Sequence, residues 1–370
     1  MKVILKKCTE YDVSKIKKGI LASLSELGGL EKYVKPKQKV ILKVNLLTSK
    51  KPELAATTHP AFVEALIEIF KENENEVIIA DSPGGPFLDA YIKRVYKSTG
   101  MTQIAKNQDI ALNKDYSSYD IFNNDSKLYK KMKVCSFVKN ADHVISVSKM
   151  KTHSFMTFTG AVKNMFGVVP GLSKANLHLQ YPDMLDFADM LLDVCNCANP
   201  TLSFMDGIVA MEGEGPGSGD PVSMNVILTS DSPHHLDVVA TKIVNVDPMK
   251  VPTIVKSIER GIVKKDFSDI ETIGNIDDFK KMNFVKAKTN EIKNVGKFSI
   301  WKYFKRYPKI IKKNCIGCGV CAEVCPAKTI EIVDRKAIIN FDNCISCFCC
   351  HEFCPEKAIT VKRRFLRKIK

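Results

Sequence analysis

Short runs of aliphatic and β-branched residues alternate along the first two thirds of the chain with stretches whose apolar positions recur every three or four residues. Residues 40–44, 77–80, 144–147, 202–205 and 226–229 form the short runs, each bounded by polar or turn residues, and read as strands. Pro60 fits the first turn of a helix over 61–71, which places Phe62, Leu66, Ile69 and Phe70 on one face and Glu64, Glu68 and Glu72 on the other. Further helices are expected over 182–197 and 236–244. Strands alternating with helices predict parallel pairing through right-handed crossovers, hence an α/β domain with an open, mostly parallel sheet over residues 1–285.

Polar residues follow each run. Asn45 follows the first, Asp81-Ser82-Pro83-Gly84-Gly85 the second, Ser148 to His153 the third, Asp206-Gly207 the fourth and Ser230-Asp231 the fifth. Turn chemistry accounts for any one of these, but ligands of open parallel sheets bind outside the carboxyl ends of the strands, so five together suggest a site. The densest stretch is SKMKTHSFMTFTGAVKNMFGVVPG, residues 148–171, where Lys149, Lys151, His153 and Lys163 are expected in one loop and the start of a helix. Such a loop suits an anion, with backbone N–H groups near Gly160-Ala161 facing a phosphate or carboxylate. It is not a P-loop, which needs GxxxxGK[ST]. Basic residues snorkelling over a sheet edge explain Lys149 and Lys151, but not Lys163 amid Ala161, Val162, Met165 and Phe166. The Gly-rich stretch 213–221 precedes another strand rather than a helix, which excludes a dinucleotide loop and favours a hairpin or lid carrying Glu212 and Glu214. His234-His235 reads as a helix-start region, and Cys195 and Cys197 as packing residues.

The C-terminal region carries different chemistry. Cys315-x2-Cys318-x2-Cys321-x3-Cys325-Pro326 is repeated as Cys344-x2-Cys347-x2-Cys350-x3-Cys354-Pro355. A C-x2-C-x2-C loop offers three thiolates to a [4Fe-4S] cube and the fourth comes from the other run, whereas zinc sites want separated C-x2-C pairs and a disulfide framework gains nothing from this duplicated spacing. From about Pro308 to Thr360 the chain resembles a bacterial two-cluster ferredoxin, which implies a small α+β domain and low-potential, one-electron chemistry. By that pattern one cluster takes Cys315, Cys318, Cys321 and Cys354, and the other Cys344, Cys347, Cys350 and Cys325. Residues 329–333, 337–341 and 359–361 read as its strands. Cys349 is surplus to the pattern and reads as a small packing residue.

Length and charge refine this picture. A chain of 370 residues accommodates two or three domains. Clusters need a reducing compartment, the N-terminus lacks the apolar core of a signal peptide, and no run of 18 apolar residues occurs, so a cytoplasmic protein with no transmembrane segment is expected. Of the net charge of +15, +11 falls between Lys297 and Lys370. This flank comprises a basic linker over 286–307, with Trp301, Tyr303, Phe304 and Tyr307, and a tail closing the 308–370 domain. Solvated flanks offsetting the negative clusters, docking on an acidic redox partner, or peripheral contact with an anionic membrane surface all fit. Nucleic acid is disfavoured, because no binding motif accompanies the charge.

ILKVNLL, THP, VIIADSPGG, SKMKTHSFMTFTGAVKNMFGVVPG and MDGIVAMEGEGP resemble the domain-of-unknown-function 362 family over about residues 1–285. That resemblance implies architecture, and often a ferredoxin tail, without a reaction. A remoter likeness is to the nickel-pincer lactate racemase family, carried by His153, Lys163, Pro170-Gly171 and His178 in order. It implies Lys163 for cofactor attachment, His153 as acid or base and His178 as metal ligand. Ala161-Val162 stand where that family has paired glycines, and its Asp-x-Thr-Arg motif is reduced to Lys43-x-Asn45, which counts against the pincer cofactor itself. The leading expectation is an iron–sulfur oxidoreductase whose two [4Fe-4S] clusters feed a small-molecule substrate, or an unknown second cofactor, at the strand ends. Lys163, His153 and His178 are the candidate chemical groups, with Asn45, Asp81, Lys149, Lys151 and Asp206 as binding groups. The alternatives are a non-catalytic electron carrier or docking module, and a metal-cofactor racemase or isomerase.

Overall fold

The computed structural model describes residues 1–290 and 305–363. The chain opens with β1 (Lys2–Lys7), α1 (Val13–Leu27), β2 (Lys39–Val44), α2 (Pro60–Glu72), β3 (Glu76–Ala80), α3 (Asp89–Ser98), α4 (Met101–Asn107) and β4 (Ala111–Leu112). A hairpin of β5 (Ser118–Phe122) and β6 (Lys131–Cys135) and the short α5 (Ser136–Lys139) lead into β7 (His143–His153), β8 (Thr157–Thr159), α6 (Ala161–Asn164), α7 (Ser173–Gln180) and α8 (Met184–Ala198). Then come β9 (Leu202–Glu212), β10 (Asp220–Ser230), α9 (Pro233–Ile243), α10 (Pro252–Glu259) and β11 (Glu271–Ile273). The C-terminal unit comprises β12 (Arg306–Ile310), α11 (Val320–Glu323), β13 (Ile330–Val333), β14 (Lys336–Ile339), α12 (Cys349–Glu352) and β15 (Ile359–Arg363).

Nine strands form the main sheet, in the order β11-β1-β10-β9-β7-β2-β3-β4, with β8 paired to β7. The pairs β9–β7, β7–β2, β2–β3 and β3–β4 are parallel, as the alternation of runs predicts. The fifth predicted strand departs from it. β10 returns antiparallel to β9, because the Gly-rich segment between them is a hairpin connection rather than a crossover. Ser230-Asp231 therefore lies at the opposite end of the sheet from Asn45 and Asp81, where the Ser230 hydroxyl donates to the Lys2 carbonyl at 2.7 Å, and Asp206-Gly207 lies inside β9 rather than after it, because the strand runs on to Glu212.

Local sequence accounts for the layer that covers the sheet. In α2 the His59 ring accepts from Ala61 N–H at 3.2 Å and Pro60 opens the first turn, while Phe62, Val63, Leu66, Ile67 and Phe70 are buried against the sheet. On the other side Phe187, Leu191 and Leu192 of α8 pack with Val144, Met165 and Phe166. Complete burial of one such side chain contributes roughly 1.5–3 kcal/mol.

The C-terminal unit begins two residues before its expected boundary, since β12 pairs antiparallel with β15 from Arg306↔Arg363 to Ile310↔Ile359, and β13 pairs with β14. Trp301, Tyr303, Phe304 and the tail beyond Arg363 lie outside the described residues. This unit sits on the strand-end side of the sheet. A Cβ on Gly84 would run into the Phe353 ring, and one on Gly217 would come 2.5 Å from the Glu352 carbonyl, so both glycines permit the close approach. The β9–β10 hairpin also reaches the unit. Glu214 accepts from Thr360 Oγ1 at 3.2 Å and from Val361 N–H at 3.3 Å, and stands 3.3 Å from His351 Nε2. The expected lid carrying Glu214 is thus a clasp between the two units.

Candidate functional site

The strand ends carry buried lysines. Lys43, near the end of β2, sits 2.9 Å from Asp81 Oδ1, beyond β3, and donates to the Val44 carbonyl at 2.7 Å and Asn164 Oδ1 at 3.0 Å. Burial lowers its pKa and Asp81 pulls it back up. Asp81 is fixed in turn by Leu46 N–H, donating to Oδ2 at 2.9 Å. Lys151 donates to Asn45 Oδ1 at 2.7 Å and the Ala56 carbonyl at 2.6 Å, and burial brings its pKa down to about 7 against the pull of Glu352.

Lys149, Lys151 and His153 are on the strand β7 rather than in a loop. They occupy alternate positions, so the period of the strand places them along one face. Lys149 belongs to a separate, self-neutralised cluster: its Nζ donates to Asp206 Oδ2 at 2.7 Å and to the Tyr11 hydroxyl at 2.7 Å, and that hydroxyl donates to Asp206 Oδ1 at 2.9 Å. The Tyr11 ring stacks on His59 at 3.6 Å. The backbone expected to face an anion is also occupied. Ala161 and Val162 N–H donate to the buried Asp237 carboxylate at 2.6 and 3.1 Å, and a Cβ on Gly160 would collide with that carboxylate.

What α6 offers to the strand ends is the Lys163 side chain, which lines a cavity of about 100 Å³. Asn45, Asp81, Lys163 and His178 share this cavity with Lys43, Ser82, Asn164 and Lys174. Its roof comes from the C-terminal unit, through Val324, Cys349, Glu352 and Phe353. Burial first, then the nearby Glu352 and Cys349 in the opposite sense, set the Lys163 pKa below its ordinary value. The His178 ring stacks on Phe187 at 4.2 Å, and burial together with Lys163 holds its pKa at about 3, a neutral imidazole. His153 is behind the cavity wall. Its Nδ1 accepts from Phe155 and Met156 N–H at 3.0 and 3.2 Å, which puts the proton of the neutral ring on Nε2, 3.8 Å from Glu352 Oε2.

The eight repeated cysteines fall into two groups around two further cavities. Cys325, Cys344, Cys347 and Cys350 line one, and Cys315, Cys318, Cys321 and Cys354 the other. None is in a disulfide, and among the described residues no three His, Cys, Asp or Glu side chains close on a single ion. Backbone N–H groups of Ala337, Thr329 and Ala358 point at the sulfurs of Cys315, Cys325 and Cys354, at 3.4, 3.4 and 3.2 Å. Donors so placed stabilise thiolate ligands of iron and tune a cluster's potential. The donor set therefore fits two four-iron clusters.

Sequence reasoning passed over Lys43, Asn164, Lys174, Glu352 and Phe353. For Lys43 a signal existed, because a charged residue inside the run VILKV of a central parallel strand has no solvent to reach. Glu352 and Phe353 carry no such mark, since their role follows from the packing of one unit on the other.

These features define an α/β domain joined to an iron–sulfur, electron-transferring module. The chain belongs to the family described as domain of unknown function (DUF362), whose model matches residues 40–242, and residues 307–355 match the 4Fe-4S dicluster domain, which implies two [4Fe-4S] clusters. A thylakoid-associated protein of Synechocystis sp. is 32% identical over 261 residues, 70% of this chain and 79% of that protein. Among solved structures, the lactate racemase apoprotein of Thermoanaerobacterium thermosaccharolyticum aligns over 63% of this chain and 55% of its own, with 16% identity and a TM-score of 0.41. A Thermotoga maritima protein aligns over 56% of this chain and 52% of its own, with 12% identity and a TM-score of 0.33. The chain thus spans about half the length of those two structures. No helix among the described residues is long and apolar enough to cross a membrane.

Proposed function

We propose that this protein is an iron–sulfur oxidoreductase in which the dicluster unit exchanges single electrons with an anionic substrate or cofactor held in the cavity between the units. One observation carries the reading. The short helix α12 and the turn after it contain the cluster ligand Cys350 and the cavity residues Cys349, Glu352 and Phe353, so ligand and cavity share one wall. When bound, the clusters supply one-electron transfer, with Cys325, Cys344, Cys347 and Cys350 holding the one beside that wall and Cys315, Cys318, Cys321 and Cys354 the other.

The chain's own groups have separable roles in this scheme. Lys163 supplies charge to the bound anion, and Asn45 and Asn164, linked by a hydrogen bond of 3.3 Å, orient it. Asp81 keeps Lys43 in place as a fixed positive group. His178 presents a neutral imidazole, and His153 Nε2 faces Glu352 Oε2 at 3.8 Å, too far for a hydrogen bond. Phe353 against Gly84 limits water at the roof. Tethering the electron-carrying unit over the cavity keeps its effective concentration high, on the order of millimolar for short linkers. A reducing, cytoplasmic-type compartment suits the clusters. Peripheral contact with an anionic membrane, as the relative's thylakoid association suggests, is served by exposed Lys309, Lys312, Lys313 and Lys362.

The test is reoxidation. Full-length protein reconstituted without oxygen, reduced and freed of reductant, is mixed with the small-molecule anion fraction of its source cells while cluster absorbance is followed. Reoxidation is expected to slow at least about tenfold in Lys163→Ala, the loss typical of removing one charged contact, with iron content unchanged. Equal rates in parent and variant would mark a carrier that does not use the cavity.

A further inference from the structure

The charges around the cavity do not balance. Four lysines line or back it, Lys43, Lys151, Lys163 and Lys174, against two carboxylates, Asp81 and Glu352. Lys43 is paired to Asp81, and Lys151 is held by the neutral oxygens of Asn45 and Ala56. Lys163 has no hydrogen-bond acceptor among the described residues and stands 5.5 Å from the centre of the Phe166 ring. Among the described residues Lys174 reaches the Ser82 hydroxyl, at 3.0 Å, and the Pro83 carbonyl, at 3.5 Å, and no carboxylate. Half-buried ammonium groups that no carboxylate pairs directly carry an unfavourable excess of positive charge, which a ligand bringing two negative charges offsets.

The remaining walls have another character. Phe166, Leu172, His178 and Phe353 present rings and an aliphatic side chain, and the His178 Nδ1 is buried without a partner among the described residues. A pocket with one cationic end and one apolar, flat-sided end selects a ligand of matching polarity.

We propose that the cavity binds a dianion with a flat, apolar body, its charged end between Lys163 and Lys174 and its body among Phe166, His178 and Phe353. A phosphate monoester and a dicarboxylate share this chemistry. The inference rests on the oxidoreductase reading for its purpose and names that site's ligand class, but its test needs no turnover.

Calorimetric titration of the reconstituted full-length protein compares phenyl phosphate and phthalate, both dianions, with benzoate, a monoanion, and benzamide, which is neutral. At least one dianion is expected to bind about tenfold or more tightly than benzoate, as a second charge-assisted contact provides. The preference is expected to drop to about threefold or less in Lys163→Met and in Lys174→Met, and to return in Lys163→Arg. Cluster absorbance reports that each variant is folded. Whichever of phenyl phosphate and phthalate binds better separates the phosphate source from the carboxylate one. No binding of either dianion at millimolar concentration, benzamide binding as tightly as the dianions, or a preference that survives in both methionine variants would overturn the proposal. Dianion binding as expected, with cluster reoxidation untouched by Lys163→Ala, would keep the ligand class and remove the electron-delivery reading.

Discussion

Lys174 shows how burial sets the charge of this site. Burial is the largest influence on it, Cys135 and Asp81 oppose that, Lys43 and Lys163 add to it, and the outcome is a pKa of about 8 against an ordinary 10.5. A lysine whose folded pKa lies below its unfolded one binds fewer protons folded than unfolded between those values. Its stability penalty is therefore complete below about 8 and is relieved as the pH rises toward 10.5. Ligand-free Lys174→Met should accordingly melt above the parent at pH 7, by a margin that shrinks toward pH 10. Thermal unfolding at the two pH values measures this, and a margin independent of pH would contradict it. Lys163 was legible in the sequence for the same physical reason, as a charge amid Ala161, Val162, Met165 and Phe166. Glu352 was not, because its neighbours His153 and Lys151 are two hundred residues away in sequence and meet it only across the joint between units.

At the scale of elements, α6 depends on a carboxylate outside itself. Four residues make a marginal helix, and Asp237 of α9 accepts the N–H groups of Ala161 and Val162, so α9 sets where Lys163 points. Asp237→Asn keeps an acceptor for one of those N–H groups and puts an amide donor against the other. It should cost about 1–3 kcal/mol of stability in denaturant unfolding, the penalty of a buried donor left unsatisfied. A loss below a few tenths would show that α6 is held otherwise. The parallel half of the sheet was readable from its strands because each is a continuous aliphatic run followed by a helical pattern. The direction of β10 was not. A nonpolar run has no polarity of its own, and only the shortness of the Gly-rich connection, Gly213 to Gly219, makes the return antiparallel. The same limit placed Lys149, Lys151 and His153 in a loop, since a charged end of a long strand looks like a turn until its pairing with β9 and β8 is known.

Across the whole molecule, the two units meet at the strand-end cavity and beside one group of cluster cysteines. Glu214 bridges to His351, Thr360 and Val361, and Phe353 fills the space left open by Gly84. Between them the cavity is closed by a wall that also carries Cys350. The cysteine repeat made the dicluster domain plain from spacing alone, while its seat on the α/β domain left no local mark in either sequence. Family membership places the chain in DUF362 without a reaction, so the proposal that electrons reach the strand-end site rests on the shared wall. The most direct test is electron–nuclear double resonance on the reduced, reconstituted protein with ³¹P-phenyl phosphate or ¹³C-carboxyl phthalate bound. The predicted result is a hyperfine coupling between ligand nucleus and reduced cluster that disappears in Lys163→Met. A bound ligand with no detectable coupling would separate the cavity from the clusters and contradict the account.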